Sequence, residues 1–144
     1  MCVTFFWLST SNFVIMKNLL FLLFFAPTFL LANSGNPTMD AITSALGSGN
    51  VDMLSKYFAD KVQISIHDKE QTYTKAQAVE AVRSFFATAK PQSFSEVHKG
   101  TSRENSDQYC IGNLAAGNGA YRVYLYLKVT GNSVTIQEMR LDKQ

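Results

Sequence analysis

"AYRVYLYLKV", residues 120–129, separates its side chains into two sets. Tyr121, Val123, Leu125, Leu127 and Val129 fall on one side of an extended chain, and that side is almost wholly apolar. Arg122, Tyr124, Tyr126 and Lys128 fall on the other. A period of two over ten residues is the pattern of a half-buried β-strand. Its apolar side needs a partner, and the chain supplies one upstream. In "TKAQAVEAVRSFFATAKP", residues 74–91, Ala78, Val79, Val82, Phe85, Phe86 and Ala89 recur at helical spacing. Thr74 followed three residues later by Gln77 is a capping box, and Pro91 stops the helix. The reading is therefore a long helix packed on a sheet, with Val82, Phe85 and Phe86 against Val123, Leu125 and Leu127.

The rest of the chain extends this arrangement on both sides. Before the helix, "NPTMDAITSALGSGN" reads as a short helix with Asn36 as cap and Pro37 at its first position. It ends at Gly47. Asn50 caps a second helix, "NVDMLSKYFAD", in which Val51, Leu54, Tyr57 and Phe58 share a side. "KVQISIHD" alternates Val62, Ile64 and Ile66 against Gln63 and Ser65, as a strand does, and leads into a polar turn, "HDKEQ". After the long helix, "SFSEVHKGTS", "QYCIGNLAA", "AYRVYLYLKV" and "SVTIQEMRLD" form a meander. They are joined by short turns that include Asn118-Gly119, a strong hairpin signal. Helices grouped ahead of consecutive strands predict an α+β fold on a curved antiparallel sheet.

The N-terminus reads differently. "LLFLLFFAPTFLL", residues 19–31, is free of charge, follows Lys17 and precedes "ANSG". A basic start, a short apolar run and small residues describe a secretory leader. The run is shorter than the roughly 20 residues that span a bilayer. Residues 16–34 are expected to be that leader, cleaved after Ala32 or Ser34, so the mature protein carries no stable membrane span. Residues 1–15 are uncharged and read as a mis-assigned extension upstream of Met16. The mature domain, 35–144, is then exported to the periplasm or secreted.

Beyond Ala32 there are twelve basic and eleven acidic residues without a basic cluster, which excludes nucleic acid as a partner. Cys110 is the only cysteine beyond the leader, so no internal disulfide is available there. A buried apolar role is expected for it.

Several blocks together resemble a known family. "LSKYFADKVQISI", "TYTKAQAVEAVRSFF", "HKGTS", "YCIGNLAAGNGAYRVYLYLK" and "IQEMRLDK" resemble domain of unknown function 4783, a family of small exported Bacteroidetes proteins. The resemblance spans Asn36 to Lys143. The element order resembles the NTF2-like cone shared by nuclear transport factor 2, ketosteroid isomerase and scytalone dehydratase. It implies a fold and a location but no activity, since the family has none to carry over.

The candidate chemistry is correspondingly thin. The isomerase pattern sets an aspartate base and a tyrosine–acid oxyanion hole inside the cone. Tyr57, Tyr73, Tyr109 and Tyr121 are candidates for lining such a pocket, with Glu138 the best-placed carboxylate. Glu138 shares even positions with Ile136 and Arg140, which favours an ion pair on a sheet face. Asp60, Asp68 and Asp107 fall in expected turns. His67 with Asp68, His98 and Cys110 lacks zinc-ligand spacing, so no metal or cofactor is assigned.

His98, in "SFSEVHKGTS", has two open readings. If Phe94 faces in, Glu96 and His98 face in with it. If Val97 faces in, they face out. The expected recognition surface is His98, Arg122, Tyr124 and Tyr126, taking a small ligand or a protein partner, with a homodimer as one form. No catalytic residue is assigned. The rival readings are a cofactor-free isomerase or dehydratase using the cone, and a structural module of the cell envelope.

Overall fold

The computed structural model describes residues 37–104 and 106–144, so the expected extension, leader and Asn36 cap lie outside the described residues. The described part of the chain belongs to one compact unit, 35–144. Its elements, in chain order, are α1 (Pro37–Gly47), α2 (Val51–Ser55), β1 (Phe58–Ile66), β2 (Lys69–Thr74), α3 (Lys75–Ala89), β3 (Pro91–Thr101), β4 (Gln108–Ala116), β5 (Gly119–Thr130) and β6 (Ser133–Lys143). The strands form one sheet in the order β2-β1-β6-β5-β4-β3. Neighbours run antiparallel except β1 and β6, which are parallel. The sheet is therefore mixed and six-stranded, where a strand followed by a four-stranded antiparallel meander was expected.

Local signals set most of the boundaries. The Asn50 side chain accepts from the Met53 N–H at 3.0 Å, which fixes the start of α2. Thr74 and Gln77 form the capping box of α3. Lys90 closes that helix in the left-handed region, and Pro91 opens β3 directly. The expected second helix is cut short at Ser55. Tyr57 turns back with its N–H on the Leu54 carbonyl at 3.0 Å, and Phe58 already pairs with Ile136. Sheet pairing outweighs the helical spacing of Tyr57 and Phe58.

The polar turn after β1 is only His67 and Asp68, both at positive φ, and the chain then pairs back as β2. β2 is exposed at every residue except Tyr73, so no apolar alternation marks it.

The helices cover one face of the sheet. Ala78, Val82, Phe85, Phe86 and Ala89 of α3 are buried, as are Tyr121, Val123, Leu125 and Leu127 of β5. Ile42 and Leu46 of α1, Val62 and Ile64 of β1, Leu114 of β4, and Ile136, Met139 and Leu141 of β6 complete that core. The face-to-face packing of α3 on β5 is as the sequence predicts. Among the described residues no helix lies on the opposite face of the sheet, and that face positions the candidate site.

Two irregularities control which side chains reach that open face. Glu96 pairs with Gly112 and His98 with Ile111, so Val97 bulges out of the β3–β4 ladder and is 58% exposed. Tyr126 pairs with Glu138 and Leu127 with Ile136, so Gln137 is the extra residue between β5 and β6. Each bulge reverses the alternation beyond it.

Candidate functional site

The open face is built in rows, one residue per strand, because register partners on adjacent strands point the same way. One row runs His98, Ile111, Tyr124, Arg140, Ser65 and Glu70 across all six strands. The next runs Gly100, Tyr109, Tyr126, Glu138, Gln63 and Thr72. On the other side of the first lie Ser95, Asn113, Arg122 and Asp142.

His98 sits on the open face with Tyr109, because the bulge at Val97 intervenes. Neither expected arrangement holds. Glu96, opposite Gly112, stays on the helix side, where Cys110 also lies. His98 Nε2 is 3.0 Å from Tyr109 Oη. The Tyr109 ring lies over Gly100, where a Cβ would come within 2.5 Å of the hydroxyl. Glycine is required there by the ring's approach.

In the centre of the face, Arg140 Nε reaches Glu138 Oε1 at 2.5 Å, and the Arg140 guanidinium carbon stands 5.9 Å from the Tyr124 ring centroid. The hydrogen bond that Arg140 donates to Glu138 raises the Arg140 pKa above its ordinary value. Burial, then the Glu138 charge, raises that of Tyr124. The expected ion pair at Glu138 is present, but Ile136 does not share its face. The bulge at Gln137 sends Ile136 into the core. Ile111, Arg122, Tyr124, Glu138, Arg140 and Asp142 enclose an open depression of about 420 Å³.

At the end of the same face, Tyr126 donates to Asp107 Oδ2 at 2.6 Å, and the Val129 N–H donates to Oδ1 at 3.0 Å. Asp107 is only 4% exposed, against the solvated turn expected of it. The two donors hold its pKa below the ordinary carboxylate value. An isomerase oxyanion hole needs the opposite, a carboxylic acid kept protonated. Asp107 is a carboxylate kept ionised, anchoring the loop before β4 to the start of the β5–β6 turn.

A folded-state pKa below the ordinary ~3.9 contributes stability that is complete above that pH and is lost as pH falls through the folded value. Asp107→Asn should therefore flatten the acid limb of the stability curve. Urea midpoints at neutral pH and at pH about 3 would check it: wild type should lose more between the two than the variant does. Equal losses would show that Asp107 is not a source of the acid sensitivity.

The remaining pocket candidates separate by face. Tyr109 and Glu138 are on the open side. Tyr121 is buried in the core, its ring edge-on to Phe85 at 5.0 Å and its hydroxyl on Asn118 Oδ1 at 3.0 Å. Tyr57 and Tyr73 pack against the core from its margin. Tyr57, Tyr73 and Tyr121 therefore do not join Tyr109 and Glu138 in one pocket. Among the described residues the buried polar side chains are Ser65 and Asp107, and no group of three His, Cys, Asp or Glu stands ready for a metal.

Cys110 is fully buried, and burial, then the Glu96 charge, pushes its thiol up to about 11. Four residues of the face escaped the sequence reading as site members: Ile111, Asn113, Arg140 and Asp142. The alternation of β6 could have found Arg140 and Asp142. Ile111 and Asn113 needed the β4–β5 register.

Comparison with other proteins follows the same lines. The sequence profile described as Domain of unknown function (DUF4783) matches residues 39–142. A DUF4783 family protein of Bacteroides uniformis is 30% identical over 76% of this chain and 98% of its own, with a TM-score of 0.69. One from Bacteroides ovatus is 33% identical over 72% and 93%, with a TM-score of 0.68. An NTF2-like protein of Cytophaga hutchinsonii, 11% identical, shares the fold at a TM-score of 0.56 over 74% of this chain and 93% of its own. None of the curated proteins is similar to the chain in sequence. The match over residues 39–142 and the Bacteroides structures make the chain a member of the DUF4783 family, with the NTF2-like α+β fold.

Proposed function

We propose that the chain is an exported binding domain whose open sheet face recognises a ligand or a protein partner, without catalysis of its own. The observation that carries this reading is the depression at Tyr124, where an aromatic ring, two guanidinium groups and two carboxylates converge on the face that no helix among the described residues covers. Rings beside arginines are enriched in recognition surfaces. The helix-covered face supports the same reading from the other side. The place where a cone enzyme would hold its acid and base is filled by Tyr121, Phe85, Leu125 and Leu127. A homodimer across a two-fold axis is one form the partner can take, because the face carries both signs of charge and can complement itself.

Tyr124→Ser combined with Arg122→Ser tests the reading. Tyr126 is left alone because it holds Asp107. The double variant should keep the wild-type circular dichroism. It should lose dimerisation by sedimentation, or a ligand carried through purification and seen by native mass spectrometry. A wild type that neither dimerises nor carries or binds anything on this face would contradict the proposal.

Export rests on Lys17 and the apolar run 19–31. N-terminal sequencing of the native protein should find a start near Asn33 or Gly35. Retention of Met1 or Met16 in a membrane fraction would contradict it. Among the described residues no helix is long and apolar enough to cross a membrane.

A further inference from the structure

We infer that the depression at Tyr124 takes a neutral saccharide. The inference deepens the recognition reading above and rests on it. Its first support is the charge of the lining. Arg122 and Arg140 are matched by Glu138 and Asp142, so the site has no net charge to offer. A polyanion would have to approach two carboxylates, and a polycation two guanidinium groups, each losing hydration without a surplus of opposite charge in return. A ligand that is polar but uncharged avoids both costs.

The second support is how these four groups are deployed. Arg140 and Glu138 are held by one another. Arg122 and Asp142 stand opposite on neighbouring strands, but no ion pair joins them. The site therefore presents a planar fork of N–H donors and a carboxylate that only accepts, side by side. Hydroxyl groups suit that combination because each can both accept from the guanidinium and donate to the carboxylate. Asn113, next to Arg122 in the same row, adds the N–H donors of an amide whose Oδ1 accepts from Gln144 at 2.9 Å.

The third support is the floor. Ile111 and the half-buried ring of Tyr124 are the apolar parts of the lining. A pyranose carries C–H groups on its faces and hydroxyls around its rim. It can lay the former on Ile111 and Tyr124 while its rim meets Arg122, Asp142 and Asn113. The depression is open to solvent and lies midway along the row from His98 at one edge of the sheet to Glu70 at the other. An open site of this kind suits a segment of a glycan chain better than a small molecule that must be enclosed.

Electrophoresis in native gels cast with neutral polysaccharides (xylan, galactomannan and mixed-linkage glucan) would test this, with polygalacturonate as an anionic counterpart. At least one neutral polymer should retard the protein, and added salt should leave the retardation unchanged. Tyr124→Ala should weaken it by about tenfold or more, roughly one well-made contact. Arg122→Gln and Asp142→Asn, which keep side-chain size and carry the test should Tyr124→Ala not fold, should each weaken it as well.

No retardation by any neutral polymer overturns the saccharide assignment. So does retardation by polygalacturonate alone that salt abolishes. If Tyr124→Ser with Arg122→Ser still abolishes dimerisation, only the saccharide falls and the recognition face stands. Retardation that none of the three single substitutions changes overturns both.

Discussion

Leu125→Ala should cost about 2–5 kcal/mol, and Phe85→Ala about 3–5 kcal/mol, in urea unfolding of the mature domain. Leu125 is fully buried on the helix side of β5, and Phe85 is 8% exposed on α3 with its ring against Tyr121. Each truncation leaves a hole between two rigid layers that cannot close without moving a helix or a strand. A domain of this size is stable by only ~5–15 kcal/mol, so either change takes a large share of the total. Tyr124→Ala, one residue away from Leu125 but on the open face, is the control and should cost clearly less. Equal losses at positions 124 and 125 would mean that the open face is packed as tightly as the core. Tyr126 is unsuitable as the control, because its hydroxyl belongs to the Asp107 anchor.

Gly112→Ala should destabilise the fold almost as much, for the opposite reason. The Phe94 ring crosses β4 at this residue. A Cβ on Gly112 would lie 2.2 Å from Phe94 Cζ and 2.7 Å from the Ser95 carbonyl oxygen. The ring can swing aside, but the Ser95 backbone is fixed by the β3–β4 ladder just before the bulge. Overpacking of this kind costs about 1–3 kcal/mol. Phe94→Ala in the same chain should recover part of the loss. A double-mutant cycle with a favourable coupling of about 0.5 kcal/mol or more would confirm the clash. Additive losses would show that Gly112 is needed for another reason.

The sequence was most legible where a single period ran unbroken. β5 alternates over ten residues, and α3 keeps its stripe from Ala78 to Ala89, so both elements and the face between them follow from residue order. Legibility failed at single inserted residues. Val97 and Gln137 each add one residue to a ladder, which sends His98 to the open face and Ile136 to the core. Nothing in either local sequence announces a bulge, because its cause is the pairing with another strand.

β2 failed for a different reason. An edge strand exposed on nearly every residue has no apolar period to read, and "KEQTYT" looks like a loop. The site was half legible for the same causes. Arg122, Tyr124 and Tyr126 come from the alternation of β5, and Arg140 and Asp142 could have come from that of β6, whereas Ile111 and Asn113 join them only through register. Asp107 was hidden by its polar neighbours. Its burial depends on Tyr126, nineteen residues away.

Hydroxyl-radical footprinting of Tyr124, in intact cells and in the purified domain, tests the recognition face most directly. Met53, 38% exposed on α2 and remote from the open face, serves as the internal reference. With the face engaged in its native setting, Tyr124 should be modified more slowly in cells than in the purified domain, while Met53 is modified alike in both. Equal modification of Tyr124 in the two settings, with protection appearing at Met53 instead, would contradict the account and move the recognition surface to the helices.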